Sequence, residues 1–225
     1  MKRLFDAVLF DWDGVLADSE SIKAEFWEEL SKQNGHFGGG AWYARNCGIP
    51  GLKLAQMFID EYKVPLQVEA IHQANLMMHE TKMRYSTSIE NTVAFCNRIP
   101  LEYHVGIGSS APKQILHDGV VRFGIDERVQ AIVSGCELRC DKPAPDIWLK
   151  LAKDLNVSPD RCLVIEDTAT GVKSAKNAGM VCVAYTPQIN FIPGCDFTVD
   201  NFTALTMPEL ERRLQYDKLV YPDQS

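Results

Sequence analysis

The chain has 225 residues, of which 46% are hydrophobic and 24% are charged, a composition typical of a folded protein with one sizeable core. Its formal net charge of -7 disfavours a broad nucleic-acid-binding surface, because phosphate backbones bind clustered lysine and arginine. No stretch approaches the roughly 20 apolar residues that cross a bilayer. Asp6 lies where a signal peptide needs apolar residues. We therefore expect a cytoplasmic protein with no membrane and no nucleic-acid partner.

Six short apolar runs predict the strands of a parallel sheet, because they are rich in valine and isoleucine and lack the alternation of a half-exposed strand. They cover residues 5–10, 103–107, 130–133, 162–165, 180–185 and 197–199. Helical periodicity fills the intervals, as at residues 147–155 and 172–178, and Gly179 follows at a C-cap position. This alternation predicts an α/β fold with a Rossmann-like, doubly wound parallel sheet.

One interval, residues 18–85, shows no convincing strand and carries three amphipathic helical stripes instead. The glycine run at residues 38–40 is interpreted as a loop. We expect a core domain of residues 1–17 and 87–225, with a small α-helical cap domain, residues 18–86, inserted after the first strand. Because ligands of open α/β sheets bind at the carboxyl ends of strands, such an insertion would lie over the site.

The seven cysteines are odd in number and include no Cys-x-x-Cys pair, which favours free, buried thiols in a reducing compartment. Cys136 and Cys140 suggest zinc only weakly, because no second pair at metal-binding spacing accompanies them.

Two acids, Asp11 and Asp13, follow the first predicted strand, and Gly14 permits a sharp turn behind them. The pair fits either a shared catalytic site or a turn whose aspartates bond locally. A calcium loop is excluded because Val15 occupies the third ligand position.

The next three predicted strands are also followed by polar groups. Ser109 suits a helix N-cap or, with its free backbone N–H groups, a phosphate site. Lys142 lies between prolines and is either a solvated surface lysine or a partner for a carboxylate and a phosphate oxygen. Glu166 and Asp167 suit either helix capping or Mg²⁺, which prefers oxygen ligands. Together these groups favour phosphoryl transfer at one edge of the sheet.

The order of these groups resembles that of the haloacid dehalogenase superfamily, in the subfamily with an α-helical cap. Residues 10–20 look like its first motif, Ser109 lies in the second, Lys142 in the third and residues 166–168 look like the fourth. By pattern, the chain is similar to sugar-phosphate phosphatases, phosphoglycolate phosphatase-like enzymes and β-phosphoglucomutase.

The resemblance implies a phosphoric monoester hydrolase. Asp11 would attack phosphorus and form an aspartyl phosphate, and Asp13 would protonate the leaving oxygen and later deprotonate water. Ser109 and Lys142 would offset the charge of the phosphate group, with Ser110 as a substrate contact.

The resemblance also implies Mg²⁺ as the cofactor. The carboxylates of Asp11 and Asp167 and the backbone carbonyl of Asp13 would hold the ion. Glu166 would be a further ligand or would act through its neighbours.

The resemblance implies that the predicted cap selects the substrate, a small phosphorylated metabolite such as a sugar or sugar-acid phosphate. Residues 45–53 are interpreted as a loop between two helices, rich in glycine and proline, and its two cations, Arg45 and Lys53, either contact the substrate or are solvated. Lys23 stands where β-phosphoglucomutase has a histidine, and it is a third candidate substrate contact.

The same residues bear on four alternative functions. Asp13 argues against dehalogenases and phosphonoacetaldehyde hydrolases, which the resemblance implies lack an acid there. A phosphosugar mutase of the β-phosphoglucomutase type stays open, although Lys23 disfavours it. A non-catalytic binding module would be expected to have lost Asp11 or the metal acids. The sequence favours neither a monomer nor a small homo-oligomer.

Overall fold

The computed structural model describes residues 3–47, 49, 51–82, 85–187 and 191–220. The described strands are β1 (Ala7–Phe10), β2 (Ala17–Asp18), β3 (Thr87–Ser88), β4 (His104–Ser109), β5 (Ala131–Ser134), β6 (Cys162–Glu166), β7 (Val181–Tyr185) and β8 (Phe197–Val199). The helices are α1 (Glu20–Gln33), α2 (Gly39–Arg45), α3 (Gly51–Tyr62), α4 (Val68–Lys82), α5 (Glu90–Arg98), α6 (Lys113–Arg122), α7 (Asp146–Asp154), α8 (Ala169–Asn177) and α9 (Met207–Val220). The chain divides into two compact units, Met1–Ala17 with Ser88–Ser225, and Asp18–Thr87.

The first unit is built on a six-stranded sheet in the order β5-β4-β1-β6-β7-β8. Every pairing in it is parallel. The predicted α/β fold with a doubly wound parallel sheet is therefore confirmed. Strand β1 begins at Ala7 rather than Phe5, because the backbone N–H of Phe5 bonds to the Glu211 carboxylate instead of a neighbouring strand.

Both faces of this sheet are covered by helices. Ala7 and Leu9 of β1 pack with α7 and α8, whereas Val8 and Phe10 pack with α5, α6 and α9. Because successive side chains of a strand point to opposite faces, β1 is wholly buried on both sides. This explains why its sequence is a continuous apolar run rather than an alternating one.

The second unit contains α1 to α4, and its core is a cluster of aromatic rings from the first three helices. The Trp27 ring lies 5.5 Å from that of Trp42 and 5.2 Å from that of Phe58. The prediction that residues 18–85 contain no strand is wrong by one residue, because Asp18 pairs in the two-stranded sheet of β2 and β3.

The prediction of a loop at residues 38–40 is also wrong. Gly38 caps α2 with a left-handed backbone (φ 85°), and Gly39 and Gly40 begin that helix. A side chain at Gly39 would overlap the Trp27 carbonyl, so glycine is what allows α1 and α2 to approach each other. The burial of Trp42 and Tyr43 outweighs the poor helix propensity of the two glycines.

No helix among the described residues is long and apolar enough to cross a membrane.

Candidate active site

The carboxyl ends of β1, β4 and β6 bring most of the predicted groups to one edge of the sheet. Phe10, the last residue of β1, is in register with Ile107 of β4 and Ile165 of β6. The Asp11 N–H continues this pairing by donating to the Ile165 carbonyl at 3.0 Å. Asp11, Glu166 at the end of β6 and Asp167 directly after it therefore start from adjacent positions.

The loop after β1 is a tight turn. The Trp12 carbonyl accepts hydrogen bonds from the N–H groups of Leu16 and Ala17 at 2.9 and 2.8 Å. The Trp12 ring is fully buried and stacks on Phe123 with the ring centroids 5.0 Å apart. The backbone between Asp11 and Asp13 is thus anchored in the core, and the half-buried Asp13 lies in the turn itself.

Gly14 is required by this turn for two reasons. Its φ of 77° lies in the left-handed region. A Cβ atom there would also overlap the Asp167 carboxylate, so glycine lets that carboxylate approach the β1 loop.

Lys142 is the centre of the site. Its ammonium group donates to Asp11 Oδ1 at 2.6 Å and to Glu166 Oε1 at 2.7 Å. It also lies 3.4 Å from the Gly108 carbonyl at the end of β4. The Lys142 side chain is 11% exposed, so the ion pairs are buried, and the surface-lysine interpretation of this residue is wrong.

Glu166 is held by both of its oxygens. Oε1 accepts from Lys142, and Oε2 accepts from the N–H groups of Asp167 and Thr168 at 2.9 and 3.1 Å and from the Thr168 hydroxyl at 3.0 Å. A side chain at Gly171 would overlap the whole Glu166 carboxylate. The first turn of α8 therefore packs closely around the Glu166 carboxylate and binds it.

Gly171→Ala should lower the free energy of unfolding by about 2–3 kcal/mol, because the added methyl displaces a buried, fully bonded carboxylate. Urea unfolding measures the change. Lys173→Ala, on the exposed side of the same helix, is the control and should stay within about 0.5 kcal/mol of the parent. Equal stability of the two variants would contradict the close packing of Gly171 against the Glu166 carboxylate.

The charged groups of the site shift one another's pKa values. Burial raises the pKa of Asp11 to about 7, while Lys142 opposes the rise and Glu166 and Asp13 add to it. Burial also disfavours the charged form of Lys142, but the carboxylates of Asp11 and Glu166 outweigh it and raise the Lys142 pKa. The lysine is therefore a permanent cation, and Asp11 is an acid that further positive charge would keep ionised.

Asp11, Glu166 and Asp167 could together hold a metal ion. One carboxylate oxygen of each lies within 4.8 Å of the others. All three groups offer oxygen ligands, which suit Mg²⁺. The space at Gly14 also supports a metal site, because it allows the Asp167 carboxylate to approach the loop after β1. Glu166 is the least available of the three because its oxygens already accept four hydrogen bonds. The Asp13 carboxylate is not part of this group.

Ser109 ends β4 and is buried, whereas Ser110 is exposed. The prediction that Ser109 is a helix N-cap is wrong. Helix α6 begins only at Lys113, because Pro112 has an extended backbone, and the Ser109 hydroxyl accepts the Ala111 N–H at 3.0 Å instead.

The three predicted substrate contacts of the second unit differ in their surroundings. The half-buried Lys23 donates to Glu20 at 2.7 Å. Arg45 ends α2 and Lys53 lies in α3, both exposed, so the predicted loop at residues 45–53 is too long at both ends. Gly48 and Pro50 of the predicted loop lie outside the described residues.

Sequence reasoning missed a polar cluster around Glu20. The Tyr43 hydroxyl and the Cys47 thiol both donate to its Oε2 atom, at 2.9 and 3.0 Å. Burial alone would raise the Glu20 pKa, but Lys23 and the two donors hold it below its ordinary value. No local pattern connects residues 20, 43 and 47, since the contact arises only when α1 and α2 pack together.

All seven cysteines are free, as predicted, but the prediction that they are buried holds only for Cys96, Cys162 and Cys182. Cys195 is half-buried, and Cys47, Cys136 and Cys140 are exposed.

The parallel sheet and the groups at its strand ends are those of an α/β enzyme whose site lies at the carboxyl edge. A family model described as haloacid dehalogenase-like hydrolase matches residues 5–179. The chain therefore belongs to the haloacid dehalogenase-like hydrolases, and the predicted family is confirmed.

Similar proteins include several phosphatases. The chain is 23% identical over 179 residues to the phosphorylated carbohydrates phosphatase of Thermotoga maritima, covering 78% of this chain and 82% of that protein. It is 26% identical over 191 residues to a fructose-1-phosphate phosphatase of Escherichia coli, covering 81% and 97%. A solved haloacid dehalogenase-like protein from Agrobacterium tumefaciens has the same fold, with a TM-score of 0.80, 24% identity and coverage of 94% and 99%.

Proposed function

We propose that the protein is a Mg²⁺-dependent phosphatase that hydrolyses a small phosphorylated metabolite, a sugar or sugar-acid phosphate, through an aspartyl phosphate. One observation carries the proposal: the Lys142 ammonium group joins Asp11 and Glu166 at 2.6 and 2.7 Å, beside the acids that suit a metal ion. The names of the two related phosphatases support the class of enzyme and the class of substrate.

In the first step a carboxylate oxygen of Asp11 attacks phosphorus in line, and the bond from phosphorus to the ester oxygen breaks. Asp13 gives its proton to that leaving oxygen, which departs as an alcohol. The enzyme is left with an acyl phosphate on Asp11 and an ionised Asp13.

In the second step water attacks the phosphorus of this intermediate, and Asp13 takes up the water's proton. Inorganic phosphate forms and the Asp11 carboxylate is regenerated. One carboxyl group serves both steps because the first step leaves Asp13 in the form that the second one needs.

The attack brings a carboxylate against a phosphate dianion, and positive charge must offset the repulsion. Lys142 supplies a fixed cation already bonded to Asp11. Ser109 and Ser110, at the end of the neighbouring strand, would bind the phosphate oxygens. Bound Mg²⁺ would supply further positive charge at the phosphate group. The ion would be held by the carboxylates of Asp11 and Asp167 and by the Asp13 carbonyl. Glu166 would position Lys142 and would be at most an additional ligand.

We assign residues 18–86 as the cap that selects the leaving group and excludes bulk water, with residues 1–17 and 87–225 as the catalytic core. Lys23, Arg45 and Lys53 are its candidate substrate contacts. A cation suits an anionic second group on the substrate, a carboxylate or another phosphate. A cytoplasmic location and a monomer or small homo-oligomer remain predictions.

The test is phosphate release from a panel of sugar phosphates, sugar-acid phosphates, phosphoglycolate and nucleoside monophosphates. We expect release with Mg²⁺ and none with EDTA, because Lys142 alone then offsets the repulsion between Asp11 and the phosphate group. Asp13→Asn should lower kcat by at least about 100-fold, since it removes the general acid.

Two outcomes would contradict the proposal. Conversion of β-glucose 1-phosphate to glucose 6-phosphate without phosphate release would show a mutase. No turnover in either assay would favour a binding module.

A further inference from the structure

One contact of Lys142 has no part in the mechanism above. The Lys142 ammonium nitrogen lies 4.6 Å from the centroid of the Trp148 ring. Trp148 comes from the first turns of α7 and is fully buried. The distance is within the range at which a cation is attracted to the face of an aromatic ring, and tryptophan is the ring that attracts it most.

The position of Trp148 is built into the sheet. Gly108 of β4 has no side chain, and a Cβ atom there would lie 2.9 Å from the edge of the indole ring. The carbonyl of the same glycine lies 3.4 Å from the Lys142 nitrogen. Gly108 therefore leaves space for the Trp148 ring and also places its carbonyl close to the Lys142 ammonium group.

The face of the indole, rather than its N–H group, makes this contact. Among the described residues the buried Trp148 N–H has no hydrogen-bond partner. A buried donor without a partner is unfavourable, so the N–H does not account for tryptophan at this position.

Holding the ammonium group matters because lysine ends in a flexible stem of four carbons. Lys142 is shared between two acids at nearly equal distances, 2.6 Å to Asp11 and 2.7 Å to Glu166. Neither carboxylate alone keeps the ammonium group from moving toward the other carboxylate. The face of the Trp148 ring is a third contact, and it restricts that movement of the ammonium group.

We propose that Trp148 is a positioning residue, whose indole face holds the Lys142 ammonium group where it contacts Asp11. The kinetic consequence rests on the proposed phosphatase function, whereas the contact between the two side chains does not. Trp148 touches no reacting atom, and its effect on the reaction passes through Lys142.

The kinetic test compares Trp148→Phe with Trp148→Leu. Loss of the aromatic face should lower kcat about tenfold in Trp148→Leu, with KM little changed, because the displaced lysine is needed for attack at phosphorus. Trp148→Phe keeps a ring face and should retain most of the activity. Leu151→Ala is the matched control, because Leu151 packs on the same glycine from the same helix and is also buried. It should leave kcat nearly unchanged.

A second test measures the contact without any substrate. Urea unfolding is followed for Trp148→Leu, Lys142→Met and the double variant. We expect Trp148→Leu to destabilise the protein less in the Lys142→Met background than in the wild type, because the cation is already gone. If Trp148→Leu does not fold, Trp148→Met takes its place.

The two tests separate the two claims. Additive losses of stability, or equal kcat for the phenylalanine and leucine variants, would overturn the role of Trp148. A wild type that hydrolyses no phosphate ester would overturn the proposed function, and the unfolding cycle would still decide whether Trp148 holds Lys142.

Discussion

Asp11→Asn should abolish phosphate release, with kcat reduced by about 10⁴-fold or more. An amide oxygen is a poor nucleophile and forms no stable acyl phosphate. The fold should tolerate the change, because the amide still accepts the hydrogen bond from Lys142 and carries no buried charge. Steady-state kinetics on the best substrate of the panel, with a urea melt of the same sample, measures both effects.

The matched control is Asp141→Asn. Asp141 is exposed and lies next to Lys142 in the chain, so the same change of charge occurs close to the site without touching the nucleophile. Asp141→Asn should retain nearly full activity. Substantial turnover by Asp11→Asn would exclude a covalent intermediate on Asp11.

Lys142→Met should lower both activity and stability. We expect kcat to fall about 10³-fold, because the variant loses the fixed cation that offsets the repulsion between the Asp11 carboxylate and the phosphate group. The free energy of unfolding should fall by about 3–5 kcal/mol, because Asp11 and Glu166 then face each other, buried and without their cation.

The loss of stability in Lys142→Met should grow with pH when no metal is present. Burial already raises the Asp11 pKa to about 7 in the wild type. An acid with a raised pKa binds its proton more tightly in the folded state, so stability falls as pH rises from its ordinary pKa through the raised one. Removing Lys142 raises that pKa further, and the difference between variant and wild type should be larger at about pH 8 than at about pH 5.

Lys113→Met is the control for this variant. Lys113 also pairs with an acid, Glu137, but both side chains are about half exposed, at 45% and 51%. An exposed pair contributes roughly 0–1 kcal/mol, so Lys113→Met should have little effect at either pH. Equal losses for the two lysines would show that the pairs of Lys142 are not buried in solution.

The sheet and the main acids could be predicted from the sequence because both depend on local signals. Strands buried on two faces are continuous apolar runs, and the run at residues 197–199 matches β8 to the residue. In a parallel sheet the carboxyl ends of the strands lie at one edge, so the sequence could place Asp11 and Glu166 there together, with Lys142 in the segment that follows β5.

What the sequence could not predict depends on contacts between distant segments. Helix α2 begins with two glycines, and its stability comes from the burial of Trp42 against Trp27. The interpretation of Ser109 as a helix cap failed because Pro112 delays the start of α6. The contact of Trp148 with Lys142 depends on the space at Gly108, which no spacing of residues reveals.

The role of Glu166 is a further case. Two adjacent acids after a strand suggest a pair of metal ligands. The structure shows that Glu166 already accepts four hydrogen bonds, three of them from residues 167 and 168. Only Asp167 approaches the loop after β1 through the space left by Gly14. The distinction between the two acids arises from how α8 begins, which the sequence alone does not specify.

The central claim is that phosphate passes through Asp11, and chemical trapping of the intermediate tests it most directly. The enzyme is quenched with acid during turnover with Mg²⁺ and treated with sodium borohydride, which reduces an acyl phosphate to an alcohol. Mass spectrometry of the peptide that contains residue 11 then locates the change. We expect homoserine at position 11 in the wild type, dependent on substrate, and none in Asp11→Asn. Steady turnover with an unmodified residue 11, or trapping at another acid, would contradict the account.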